Sequence, residues 1–213
     1  MFKFFSSTER LKNKIAHQLE NYSKPSKDFF ILISFSSSII SLGLVLDNAP
    51  IIIGAMIIAP LITPFFGLAL NLILFKKEFF GSLLSIFLGS LMVVFISTIV
   101  GFIIIFLNNN IFLNTTEILD RTDTNFAYLL VAVLIGLAGT YAYAKPNVSE
   151  KITGIAISAA VVPPLSVIGL GLAGQNFFLV EKSFILFLIN FLGIFIGSLI
   201  MFIILGFAKD PQN

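Results

Sequence analysis

Few residues of this 213-residue chain could do chemistry, and most of them fall where helices should run uninterrupted. Ala59-Pro60-Leu61-Ile62-Thr63-Pro64 and Val162-Pro163-Pro164-Leu165-Ser166 each place proline inside a long apolar run. Proline has no amide hydrogen and its ring clashes with the preceding turn, so each motif is expected to kink or break its helix and leave carbonyls unpaired. In lipid those carbonyls need partners: Thr63 or Ser166, a neighbouring helix, or water and ions in a cavity. Gly54 and Ser158, just upstream of the two motifs, and the amides of Asn71 and Asn190 complete the set of substrate or ion contacts expected within spans. An amide such as Asn190 either holds helices together or meets a ligand. Asp47 and Asn48 precede Pro50 in a short connection. Asp47 is either an exposed turn residue and helix N-cap, or a carboxylate at a cavity mouth that attracts a cation or exchanges a proton.

The chemistry that is missing narrows the function classes. Cysteine is absent and His17 is the lone histidine, so thiolate and histidine metal sites are excluded and no metal or cofactor is expected. No apolar run carries a carboxylate, lysine or histidine at its centre, which removes the usual acid–base and nucleophile constellations. An enzyme is not expected, and neither is a nucleic-acid partner.

The elements that must position these residues follow from composition. The chain is 57% hydrophobic and 11% charged, against about 25% charged in an ordinary globular chain. Six stretches free of Asp, Glu, Lys, Arg and His, at 29–45, 49–75, 79–107, 126–144, 152–173 and 184–208, are each expected to cross a bilayer. Continuous apolar runs lack the alternation of a membrane barrel, so the fold class is an all-α integral membrane protein of about six transmembrane helices.

Counting Lys and Arg on alternate connections gives Lys3, Arg10, Lys12, Lys14, Lys24, Lys27, Lys76, Lys77, Lys145, Lys151 and Lys209 on one side, and only Arg121 and Lys182 on the other. The positive-inside bias puts both termini in the cytoplasm. Residues 1–27 are expected as a cytoplasmic leader with no cleavable signal: Ser6-x-x-Glu9 has the form of a capping box and Leu11, Ile15 and Leu19 recur every four residues. Such an amphipathic helix lies on headgroups or serves as a polar leader or oligomer contact. The transmembrane domain is expected at 28–208 and a cytoplasmic tail at 209–213. The acidic loop from Asn108 to Asn125 falls on the far side.

Sliding the sequence by 104 residues aligns Ile51–Ala69 with Ile155–Ala173 at eight identities in nineteen positions, including Pro60 with Pro164 and Gly67-Leu68-Ala69 with Gly171-Leu172-Ala173. A repeat unit of three spans, about 29–107 and about 126–208, must enter the membrane in opposite senses, a 3+3 inverted repeat. With the two proline motifs in corresponding positions, a site near the bilayer midplane is expected. Ser34, Ser38 and Ser41 share a face of the first span and either line a polar path or join helices; Gly81, Ser85, Gly89, Gly193 and Gly197 form small-residue ridges for packing or oligomer contact.

Asp47-Asn48-Ala49-Pro50 leading into Ile53-Gly54-Ala55-Met56-Ile57-Ile58-Ala59-Pro60-Leu61, with the later Ala159-Ala160-Val161-Val162-Pro163-Pro164-Leu165 and Gly169-Leu170-Gly171-Leu172-Ala173, resembles the prokaryotic hydrophobic family catalogued as domain of unknown function 389. The resemblance covers most of residues 29–208 and implies a multi-pass protein of a prokaryotic inner (plasma) membrane. Some members look to have an additional soluble N-terminal domain, where this chain has a short leader. The expected function is a small secondary transporter or facilitator with a central site at the two broken helices. The alternatives are an oligomeric ion or solute channel and a non-transporting scaffold or stress-response partner. Membrane lipids, a small solute or ion, and further copies of the chain are the expected partners.

Overall fold

The computed structural model describes residues 25–74, 78–108, 113–144 and 150–208, together with Ile15, and gives no side-chain placement for Ile62, Asn108 or residues 150–159. Most of the leader, with His17 and the capping-box residues, the tail at 209–213, Lys76, Lys77 and Lys145, and the Ser158 side chain lie outside the described residues, while Lys27 opens a helix. Eight helices are found among those residues and no strand: α1 (Lys27–Val45), α2 (Ala49–Met56), α3 (Ile62–Ile73), α4 (Glu78–Asn108), α5 (Thr116–Leu119), α6 (Phe126–Ala144), α7 (Glu150–Ala173) and α8 (Phe177–Ile204). Their starts follow local chemistry. Ser26 accepts the Phe29 amide and Asp28 occupies the first turn of α1, complementing the helix dipole. Asn48 accepts the Ile51 amide, with Pro50 in the first turn where its missing N–H costs nothing. Pro64 likewise stands in the first turn of α3. Asn176 caps α8 through the Leu179 amide, so this helix begins before Glu181 and Lys182 rather than after them, earlier than its apolar run.

The molecule is inverted in polarity relative to a water-soluble bundle. Large apolar side chains such as Phe35, Phe87, Phe95, Phe106 and Leu134 face outward. The buried polar residues found among the described ones are serine, threonine and asparagine, with no charge among them. Such a surface suits hydrocarbon and not water. Four helices, Lys27–Val45, Glu78–Leu107, Phe126–Ala144 and Phe177–Ile204, are long and apolar enough to cross a membrane.

One expectation needs correcting against the helix bounds. In the second apolar stretch α2 stops at Met56 and α3 starts at Ile62, with Pro60 in the segment between. The second proline motif does not interrupt its helix. Pro163 and Pro164 sit inside α7, which runs unbroken from Glu150 to Ala173. Residues 161–170 of α7 are buried on every face, and packing from all sides holds a helix that local propensity would bend.

The connections sort to two ends. At one end the α1–α2 turn, the 113–125 segment and the α7–α8 turn meet: Thr115 donates to the Leu44 carbonyl at 2.7 Å, Asp47 Oδ1 accepts the Glu117 amide at 2.9 Å, Ser183 donates to the Arg121 carbonyl at 2.9 Å, and Leu113 packs on Gly174. Residues 25–27, 74, 78, 144, 150 and 205–208 consequently fall at the opposite end, and α1 and α4 run counter to α6 and α8. The closest seam joins α6 and α8, where a Cβ on Gly136 would strike the Ile194 carbonyl and one on Gly197 the Val133 carbonyl. Small residues let the two backbones approach, the usual device where lipid removes any hydrophobic drive to pack. The predicted ridge at Gly193 and Gly197 is thus an intramolecular packing surface. In the third span Gly89 packs against Phe29 and Ile33 of α1, whereas Gly81 has open space. α3 is tied to α8 through Phe65 against Phe191 and Phe66 against Phe202.

Candidate functional site

The two proline segments pose one problem, a carbonyl without its helical amide, and at each a neighbouring helix supplies a donor, in one to the freed carbonyl itself and in the other to the carbonyl beside it. Pro164 cannot donate to the Ala160 carbonyl four residues back. The Asn190 side chain on α8 does so instead, Nδ2 to oxygen at 2.7 Å. In the first segment Ser36 on α1 donates to the Ala55 carbonyl at 2.8 Å, and the Ile58 amide reaches the same oxygen at 3.1 Å. The Met56 carbonyl, which Pro60 leaves without its helical amide, takes the Ala59 amide at 3.3 Å. These i→i−3 bonds end α2, because they use the carbonyls that a continuing helix would need.

The residues expected to satisfy the freed carbonyls do not. Thr63 is half-buried and makes no side-chain hydrogen bond among the described residues. Ser166 is fully buried with its hydroxyl unpartnered, as are the hydroxyls of Thr140 and Ser198. The serines of the first span serve their own helix or a neighbour: Ser34 donates to Phe30, Ser38 to Ser34, and Ser41 Oγ lies within hydrogen-bond distance of both the Ser37 carbonyl and Ser97 Oγ on α4. Asn71 bridges α3 to α4 through Ser82 at 3.3 Å. Gly54 has open space where a side chain would stand. Asp47 takes a left-handed conformation, φ 51°, and its carboxylate holds the Glu117 amide of the loop. The N-cap of α2 is Asn48 rather than Asp47.

One cleft of about 230 Å³ reaches a predicted site residue from the surface. Asp120, Arg121 and Tyr128 stand at its mouth; Val131, Ala132 and Ile135 of α6 and Leu186 of α8 form its walls; Ala160, Pro164 and Asn190 lie deepest. With about 1.5 Å of rise per residue, Pro164 and Asn190 are some 13–20 Å from the helix ends at the mouth, mid-depth in a bilayer. Pro60 is not among its lining residues, so this cleft belongs to the second half of the chain. Arg121 pairs with Glu117 at 3.2 Å. Among the described residues no group of three or more His, Cys, Asp or Glu could hold a metal ion. A second cavity of about 350 Å³ lies between α4, α7 and α8, walled by Leu83, Phe87, Val94, Leu165, Phe187 and Phe191 among others, and is wholly apolar.

Ser36, Arg121 and Tyr128 were missed as site residues. The turns at the mouth end did carry a signal: Gly43-Leu44-Val45-Leu46-Asp47-Asn48 and Gly171-Leu172-Ala173-Gly174-Gln175-Asn176 share Gly-Leu and a terminal Asn. Both close with the Asn amide on the Gly carbonyl, at 2.9 and 2.8 Å, a left-handed fifth residue, and Asn as the next N-cap.

Comparison with known proteins supplies a family and no activity. The sequence model of a domain of unknown function, DUF389, matches residues 56–196. The uncharacterized protein MJ0678 of Methanocaldococcus jannaschii is 32% identical over 205 residues, 94% of this chain and 60% of that protein. The chain thus spans about three fifths of the length of the curated relative it matches. No solved structure matches it.

Proposed function

This chain belongs to the DUF389 family, and we propose that it is a small secondary transporter or facilitator whose solute path uses the cleft ending at Pro164 and Asn190. In this reading α2 and α3 together make one crossing and α7 another, giving six crossings as two three-span units of opposite sense, with both termini in the cytoplasm of a prokaryotic inner membrane. The opposed directions of α1 and α4 against α6 and α8 support the inverted arrangement, and the excess of Lys and Arg on one set of connections supports the orientation.

The observation that carries the transport reading is the cleft itself, which links polar groups at a membrane surface, Asp120, Arg121 and Tyr128, to an amide and a proline-freed carbonyl at mid-depth. A packed scaffold has no use for such an opening. The competing scaffold reading draws on the same hydrogen bonds, since Asn190 and Ser36 leave the freed carbonyls occupied. Purified chain in liposomes separates the two. Transport predicts faster flux of at least one solute from a mixed panel than protein-free liposomes allow. Flux at the protein-free rate throughout, with the protein folded and inserted, would overturn the proposal in favour of the scaffold.

A further inference from the structure

Resting on that reading of the cleft, we infer that the solute it passes is small and uncharged, with hydrogen-bonding groups, rather than an inorganic ion. The first ground is the chemistry of the interior. Below Asp120 and Arg121 the cleft presents Tyr128, Asn190 and apolar walls, with no ionisable group of opposite sign for an ion to meet. The same holds through the bundle, where the buried polar residues among those described are neutral hydroxyls and amides. An ion that sheds its water there has only dipoles for compensation, and such burial is costly.

The second ground narrows the usual way round that cost. Helix breaks in membrane carriers bind cations through unwound carbonyls. Here two oxygens at the proline segments are engaged: Ala160 accepts from Asn190 at 2.7 Å, and Ala55 accepts from both Ser36 and the Ile58 amide. At Ala55 a cation would have to displace a hydrogen bond, and at Ala160 it would share the oxygen with the Asn190 N–H. A neutral solute displaces none, because Asn190 Oδ1 accepts no hydrogen bond from the described residues and can take one from a solute donor. Arg121 at the mouth is already paired with Glu117, which reduces its pull on a free anion.

The test uses the full chain in liposomes. Stopped-flow light scattering follows urea and glycerol entry, and trapped ion-sensitive dyes follow potassium and chloride under an imposed gradient. Urea or glycerol entry should exceed that of protein-free liposomes while potassium and chloride fluxes match theirs. Val131→Phe adds a ring at a half-exposed wall position and should bring the neutral-solute rate close to baseline. Asn190→Leu should lower it about fivefold through the lost hydrogen bond. If that variant fails to fold, the Val131→Phe result stands alone. A potassium or chloride flux above baseline that Val131→Phe abolishes would overturn the inference and leave the transport reading intact. Baseline rates for every solute and ion would remove the transport reading, and this inference with it.

Discussion

Pro60 and Pro163-Pro164 stand at similar depth, about 12–17 Å along the helix from the same end of the molecule, yet one segment leaves the helix and the other does not. Both remove an amide, and both disfavour helical geometry in the residue before. The difference lies in what surrounds them. Ile57 and Ile58 are 58% and 37% exposed, so the outer side of the chain where α2 ends is left unpacked while Met56 and Ala59 are buried on the inner side. Residues 161–170 are enclosed on all sides, and Asn190 places a donor where the missing amide of Pro164 would have pointed. Enclosure of the turn, with a donor from another helix at one freed carbonyl, therefore keeps a proline segment helical.

Removing the substitute donor should have the largest effect. Asn190→Leu leaves the half-buried Ala160 carbonyl without its donor, at a cost of about 1 kcal/mol, read as a lower unfolding midpoint in detergent and faster hydrogen exchange in the central turns of α7. Pro164→Ala in the same background returns a backbone amide to that carbonyl, and the double variant should recover most of the loss. If the two substitutions simply add, Asn190 acts through packing alone and the comparison with the first segment fails.

Ser36→Ala tests the other segment and should cost less, about 0.6 kcal/mol, near the average for hydrogen bonds between membrane helices. The Ala55 carbonyl keeps the Ile58 amide, so no orphan is created. A loss equal to that of Asn190→Leu would mean that Ser36, and not the i→i−3 turn, holds the end of α2. The same unfolding assay reads both variants.

The contrast also explains what could be read from the sequence. The apolar runs located the helices because the cost of an unpaired backbone in lipid acts on every residue alike, and Asp47-Asn48 before Pro50 marked the start of α2, with the cap on Asn48 rather than Asp47, because capping is local. Pro163 and Pro164 were misread for the opposite reason: their effect depends on a residue 26 positions beyond Pro164 and on six neighbouring helices. Thr63 and Ser166 looked like natural partners for freed carbonyls because they were close in sequence. Donors from other helices, Ser36 and Asn190, fill that role, and sequence distance gives no hint of it. Whether the two halves form an inverted repeat rests on matched residues and opposed helix directions, and the unequal prolines show that matched sequence need not mean matched conformation.

The two mouth-end turns offer the finest version of the comparison. Asp47 and Gln175 occupy equivalent left-handed positions, φ 51° and 53°, each just before an Asn N-cap. A side chain in this region costs roughly 1–2 kcal/mol, less for Asp, whose short side chain can bond locally. Gln175→Gly should therefore stabilise, by at most about 1 kcal/mol once the greater freedom of glycine in the unfolded chain is counted. Asp47→Gly gains less strain relief and loses the bond to the Glu117 amide, whose exposure keeps that loss small. The expected result is a higher unfolding midpoint for Gln175→Gly and little change for Asp47→Gly. A clear gain at Asp47 would show that its carboxylate does not fasten the 113–125 segment to the α1–α2 turn. The mouth of the cleft would then depend on Thr115 and Ser183 for its position.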